Sequence, residues 1–263
     1  MTQRESLIVS STTNLPTILQ KAEALAVKLN VPFTISTEMV KSEYILSYNI
    51  DGLRFLDNSI SSQKPKCLLY VDFVGGKSGY RLAKNCTIKQ PLARAVGIKS
   101  GFRPTVFDAT AGLGTDSFVL ASLGCNVIMC ERSPILGALL EDGLKRALVN
   151  EKTKHIVSKR LQLIVQDSLV HLQTGQSFFH TIYLDPMYPH RKQSALNKQT
   201  LRSIRDLVGD DLDADNLLKI ALKRSTNRVV VKRPAAAPYL AGLSPTHTID
   251  MKNGRFDVYL TRL

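Results

Sequence analysis

Over residues 105–235, short apolar runs that end in an acid alternate with segments of helical spacing. Thr105-Val106-Phe107 is a β-type run ending at Asp108, and the turn Ala111-Gly112-Leu113-Gly114 follows it. Asp116 to Leu123 then reads as a helix stopped by Gly124, since glycine readily takes the left-handed conformation that closes a helix. Asn126 to Cys130 is the next strand, ending at Glu131, and Pro134 opens a helix whose Ile135, Leu136, Leu139, Leu140 and Leu144 recur on one face. Leu161 to Val165 gives a third strand before Asp167, and Thr181 to Leu184 a fourth before Asp185-Pro186. A helix from about Asp213 to Arg224 leads into Arg228-Val229-Val230-Val231, a β-branched run of the kind buried on both faces of a parallel sheet. Arg255 to Leu260 reads as a closing strand. Strands alternating with helices predict an α/β fold with a doubly wound, mostly parallel sheet.

Residues 1–70 break this rhythm. Lys21 to Leu29 has the spacing of an amphipathic helix, and Glu43 to Tyr48 with Gly52 to Leu56 suits a hairpin. The expected organisation is a small N-terminal α/β subdomain over 1–70, a basic connecting segment over 71–100, and the main domain over 101–263.

Charge adds a partner class. The 263 residues carry a formal net charge of +13. Residues 1–63 are balanced, with five Lys/Arg against six Asp/Glu, whereas 64–99 hold eight basic residues and the single acid Asp72. A field of this sign favours a phosphate-rich partner over a merely solvated face. No apolar run approaches the ~18 residues of a membrane span, and the first residues lack a signal-peptide pattern, so a cytoplasmic location is expected. The four cysteines, Cys67, Cys86, Cys125 and Cys130, form no CxxC pair and have no neighbouring histidine at ligand spacing. Cys125 and Cys130, flanking the apolar run Asn126 to Met129, are expected to be buried thiols on or beside a strand, and no metal site is expected.

Candidate chemistry sits at the strand ends, where ligands bind in open α/β sheets. Gly112 and Gly114 directly after a strand let the backbone pass close to a ligand at a helix N-terminus. A dinucleotide fingerprint would place a third glycine where Ser117 stands. Glu131, 17 residues after Gly114, suits the hydroxyls of a ribose; its alternative is a surface acid at a strand end. Asp167 with Ser168 fits either an adenine contact or a helix N-cap. Asp185-Pro186-Met187-Tyr188-Pro189 carries the most weight. An exocyclic base amine is a poor nucleophile, because its lone pair is delocalised into the ring. A carboxylate (Asp185) and a carbonyl held by a fixed-φ proline (Pro186) can accept its two hydrogens and favour the pyramidal, reactive form. Tyr188 can stack on a base taken out of its helix.

Basic residues follow this segment: Arg191, Lys192, Lys198, Arg202 and Arg205, the last three on one helical face. Lys232-Arg233, after the valine strand, should emerge at the same sheet edge. All seven are candidate nucleic-acid contacts, with solvated surface charge as the alternative. Asp211, Asp213 and Asp215 do not make a calcium loop, since Asn216 replaces its glycine and Leu222 its final glutamate. Helix capping explains those acids better.

The order glycine turn, Glu131, Asp167, Asp185 resembles the class I methyltransferases, in which Asp/Asn-Pro-Pro-Tyr ends the fourth strand; Met187 here replaces the second proline. Val71-Asp72-Phe73-Val74-Gly75-Gly76, Ala95-Val96-Gly97-Ile98-Lys99, Asp108 to Gly114, Tyr183 to His190 and Val229 to Pro234 resemble the ribosomal small-subunit methyltransferase J family, where that methionine is usual. The resemblance spans about residues 70–263. It implies a seven-stranded Rossmann-like methyltransferase sheet, S-adenosylmethionine as cofactor, and N2-methylation of a guanine near the 3′ end of 16S ribosomal RNA in the small subunit. It also implies cofactor contacts at Thr115, Asp116, Glu131, Arg132, Asp167, Ser168 and Asp185, beside the Asp108, Gly112 and Gly114 turn. Competing readings are methylation of DNA adenine or of a protein glutamine amide, a nicotinamide-dependent dehydrogenase, and a non-catalytic RNA-binding protein on the same fold. Asp72 and Gly75-Gly76 have no role legible in the sequence.

Overall fold

The computed structural model describes residues 6–35, 41–58, 65–75, 87–187 and 212–261. Of these, the residues up to Val71 together with Pro134–Arg146 form one compact unit, and the remainder form a second.

The first unit holds β1 (Leu7–Ser11), α1 (Pro16–Leu29), β2 (Phe33–Ile35), β3 (Tyr44–Asn49), β4 (Gly52–Asp57) and β5 (Lys66–Leu69). They make a five-stranded sheet in the order β2-β1-β3-β4-β5. The hairpin of β3 and β4 pairs Asn49 with Gly52, whose φ of 120° suits only glycine. Helix α1 starts at Pro16, earlier than its apolar spacing suggests; proline is tolerated in a first turn because that N–H has no helical partner. Its buried Ala22, Leu25, Ala26 and Leu29 recur at helical spacing, and Asn30 ends it in the left-handed conformation. The helical stretch of residues 134–146 joins this unit through Asp142, which accepts hydrogen bonds from Leu53 N–H (3.0 Å) and Arg146 Nε (2.9 Å). Arg146 in turn donates to the Val71 carbonyl.

The second unit contains α2 (Pro91–Val96), β6 (Thr105–Asp108), α3 (Thr115–Ser122), β7 (Asn126–Glu131), α5 (Lys154–Arg160), β8 (Leu161–Val165), α6 (Ser168–Thr174), β9 (Phe179–Leu184), α7 (Ala214–Arg224), β10 (Ser225–Arg233), β11 (His247–Met251) and β12 (Gly254–Leu260); α4 (Pro134–Leu148) follows β7. Seven strands form one sheet in the order β11-β12-β10-β9-β6-β7-β8. β10, β9, β6, β7 and β8 run parallel, and β12 is antiparallel to β10 and β11. This is the mostly parallel, doubly wound sheet expected from the alternation. The chain order reverses between β6 and β9, so their carboxyl ends border the crevice where such sheets bind ligands.

Val229, Val230 and Val231 are fully buried, as their unbroken β-branched run requires. β11 escaped the periodic reading because it is an edge strand with only Ile249 buried. Helices α2, α5 and α6 are too short to show a helical repeat. Cys125 and Cys130 are buried, and desolvation pushes each thiol up to about 11, so both are inert packing groups; Cys67 is exposed. Among the described residues no His/Cys/Asp/Glu group is arranged to hold a metal, and no helix is long and apolar enough to cross a membrane.

Candidate active site

The glycine turn is built from its two ends. At the end of β6, Asp108 is buried and accepts hydrogen bonds from Ser117 Oγ (2.5 Å) and Thr110 N–H (3.2 Å). Burial pushes its carboxyl up to about 7; those two hydrogen bonds pull it down, and the negative charges of Asp116 and Asp185 push it up again. Gly112 (φ 56°) and Gly114 (φ 70°) turn the chain so that α3 starts immediately after, at Thr115. Glu131 holds this turn onto β7: its Oε2 accepts from Gly112 N–H (2.7 Å) and its Oε1 from Ser133 N–H (2.8 Å). Glu131 is buried, not the surface acid its position also allowed.

Beyond β8, Asp167 Oδ1 accepts from Leu169 N–H (2.7 Å) and Val170 N–H (3.2 Å), which caps α6. Ser168 is buried and donates to the Ala109 carbonyl at 2.5 Å, tying α6 to the end of β6. Arg132 pairs with Asp213 at 3.0 Å. Asp213 stands at the N-cap position of α7, yet its side chain makes no capping bond; Asp215 instead accepts from Ala241 N–H at 2.8 Å. Asp213 and Asp215 thus stand at the start of α7, as a helix-start role requires, but their side chains are used in tertiary contacts rather than capping bonds; Asp211 lies outside the described residues.

Asp185 follows β9, and its backbone N–H donates to Thr110 Oγ1 at 2.6 Å. Lys232, from β10, donates at 2.8 Å to Asp185 Oδ2 and at 2.8 Å to Asp116 Oδ2. The hydroxyl of Tyr183, a fully buried residue of β9, donates to the same Asp116 oxygen at 2.7 Å. Burial draws the Lys232 ammonium down, but Asp185 and Asp116 more than offset it, and the net direction is upward. Desolvation and the surrounding acids raise the Tyr183 phenol far above its ordinary value, so it remains a donor. The outcome is an acid-rich crevice edge beside a glycine turn held by Glu131.

A family model of SAM-dependent methyltransferases matches residues 30–261. The protein called ribosomal RNA small subunit methyltransferase J from Desulfotalea psychrophila is 54% identical over 93% of this chain and 92% of its own length. That of Thioalkalivibrio sulfidiphilus is 46% identical over 92% and 93%. The chain belongs to the ribosomal RNA small subunit methyltransferase J family. A crystal structure of a SAM-dependent methyltransferase from Neisseria gonorrhoeae superimposes with a TM-score of 0.71 and 31% identity, covering 97% of this chain and 95% of that one.

As a methyltransferase J family member, the chain is an S-adenosylmethionine-dependent enzyme, and its donor set fits that cofactor. Asp116 and Asp185 suit a ligand bearing a sulfonium and an ammonium, and Glu131 and Asp167 are hydrogen-bond acceptors for hydroxyls and an amine. The structure brings Asp108, Gly112, Gly114, Thr115, Asp116, Glu131, Asp167, Ser168, Asp185 and Pro186 to the carboxyl ends of β6 to β9. Tyr188, Arg191, Lys192, Lys198, Arg202 and Arg205 lie outside the described residues. Two basic residues expected to face nucleic acid are placed otherwise: Lys232 sits among the acids, and Arg233 is 5% exposed with its guanidinium donating to the Pro238 carbonyl at 2.9 Å.

Thr110, Ser117 and Tyr183 were not singled out as site residues by sequence reasoning. Tyr183 had a signal: it precedes Asp185 by one strand period and so shares its face. Ser117 had none, because its partner Asp108 is nine residues back across a turn of irregular shape. The Asp72 of the unexplained glycine segment proves to be a local turn former, accepting from Val74 N–H and Gly75 N–H, each at 2.9 Å.

Proposed function

We propose that this chain methylates the exocyclic N2 of a guanine in 16S ribosomal RNA of the small subunit. The observation that carries the reading is Asp185, set in an Asp-Pro sequence at the carboxyl end of β9, beside the β6 glycine turn. S-adenosylmethionine, when bound, supplies an electrophilic methyl group. Asp185 accepts a hydrogen of the guanine amine, which removes lone-pair delocalisation and makes the nitrogen a better nucleophile. The Thr110 hydroxyl fixes the backbone at Asp185, and Pro186 fixes φ at the next residue. Tyr188 stacks on the extruded base.

Glu131 serves the ribose and Asp167 the adenine amine; Asp108, Gly112, Gly114, Thr115, Asp116, Arg132 and Ser168 complete the cofactor side. The backbone bonds already made by Glu131 do not preclude this, since a carboxylate has about four lone-pair sites. Arg191, Lys192, Lys198, Arg202 and Arg205, with the +13 net charge, supply the phosphate contacts. An enzyme with this substrate works in the bacterial cytoplasm.

Transfer of tritiated methyl to small subunits, free 16S RNA, duplex DNA and a protein fraction tests the substrate, followed by mapping of the labelled nucleotide. Label at guanine N2 of 16S RNA is expected. Label confined to DNA or protein would overturn the reading.

A further inference from the structure

Lys232 reaches the candidate site from β10. Expected at the sequence level to reach nucleic acid, it instead bridges two carboxylates from different elements: Asp116 from α3 and Asp185 after β9, each at 2.8 Å. Tyr183 Oη braces the same Asp116 oxygen at 2.7 Å. We propose that Lys232 is a positioning residue, whose ammonium ties Asp185 to the start of α3 and so fixes the carboxylate that meets the substrate amine. This rests on the role given above to Asp185.

Three acids crowd this point: Asp108 at the end of β6, Asp116 and Asp185. Neighbouring like charges disfavour each other's ionisation and push the side chains apart. Lys232 is the cation hydrogen-bonded to both Asp116 and Asp185, and it reaches them from β10, a strand packed between β9 and β12. On the β12 side, the residue paired with Lys232 is the apolar Phe256, so the ammonium's ionic contacts lie with the acids. Two of the ammonium's three N–H donors are taken by the carboxylates, so at most one is left for a phosphate, and using it would leave the bridge in place. Its side chain is half-buried, 32% exposed.

The test uses K232M, K232R and the double variant K232M/D116N, with 16S RNA as methyl acceptor and melting of the ligand-free chain as an independent readout. K232M is expected to lower kcat about 100-fold while the KM for RNA stays within about threefold, with its salt dependence unchanged. K232R should regain at least about tenfold of the loss, because it restores the charge. In the ligand-free chain the Tm gap between wild type and K232M should be wider at pH 8 than at pH 5.5. Without the ammonium the acids titrate higher, and protonation at low pH relieves their repulsion. The double variant should recover part of the Tm lost at pH 8, and it serves the same purpose if K232M alone folds poorly. A normal kcat with a raised RNA KM and a salt slope shallower by ~1 would make Lys232 a phosphate contact and overturn the proposal. So would a Tm gap independent of pH. If the wild type labels 16S RNA neither free nor in small subunits, the substrate assignment fails, while the melting comparison still decides whether the lysine bridge holds the acids.

Discussion

Each compact unit contains an enclosed acid–base network, and the two are built differently. In the first, Asp142 and Arg146 are one acid and one base, one helical turn apart, and both are spent on backbone: Asp142 takes the Leu53 N–H and Arg146 gives to the Val71 carbonyl. The Arg146 guanidinium also lies 4.5 Å from the Tyr70 ring centroid. Charge is balanced and two backbone polar groups are satisfied, which is what a structural pair must do. In the second, Asp116 and Asp185 hold Lys232 between them, Asp108 lies close enough to both acids to feel their charge, and the acids outnumber the base. Repulsion at that point costs stability, and an arrangement that tolerates it is suited to a cationic ligand. Charge imbalance, more than burial, separates the candidate-site network from the Asp142–Arg146 pair.

The sharpest way to break this contrast is Asp185→Ala. Methyl transfer should fall by ~10³-fold or more, with a Tm shift of only a few degrees, measured by single-turnover labelling and by melting; near-normal turnover would remove Asp185 from the chemistry. Asp142→Ala should do the reverse. It leaves Arg146 without its carboxylate and Leu53 N–H without an acceptor, at a cost of about 3 kcal/mol in urea unfolding, while the folded fraction keeps its cofactor affinity.

Asp108 gives a pH-dependent version of the comparison. Folded, it keeps its proton up to about pH 7; its ordinary value is 3.8. Its contribution to stability is therefore complete below that ordinary value and is lost as pH rises toward 7. Urea midpoints of wild type and Asp108→Asn, compared from pH 4.5 to 7.5, should show the wild type losing ground steadily with rising pH; a constant difference would mean Asp108 is ionised throughout. The smallest effect is expected for Thr110→Val, which removes the hydroxyl that accepts the Asp185 N–H. A loss of ~1 kcal/mol in stability and of about tenfold in kcat should appear together, and an unchanged kcat would show that Pro186 alone fixes this backbone.

Much of the second unit was legible because its central strands β6, β7, β9 and β10 are largely buried on both faces. Val229-Val230-Val231 announces itself by composition, as does the half-buried edge strand Leu161 to Val165, and the candidate acids Asp108, Glu131, Asp167 and Asp185 each lie at or within two residues of the end of a strand, so their place at the sheet edge follows from chain direction. The first unit was less legible. β1 and β2 are short, β2 is only partly buried, and their parallel pairing joins segments separated by α1, for which no local pattern exists. Asp213 shows the same limit at a single residue: its helix-start position was readable, but its partner Arg132, 81 residues away, was not.

The sequence by itself determined the α/β class, the order of the acids along the sheet edge and the glycine turn between them. These depend on periodicity and turn chemistry over a few residues, where covalent geometry dictates which side chains share a face. Tertiary structure alone decided that Lys232 meets Asp116, 116 residues away, and Asp185, 47 residues away. Strand order and register set those distances, and a lysine's place along the chain does not say whether its charge ends in solvent or between two carboxylates.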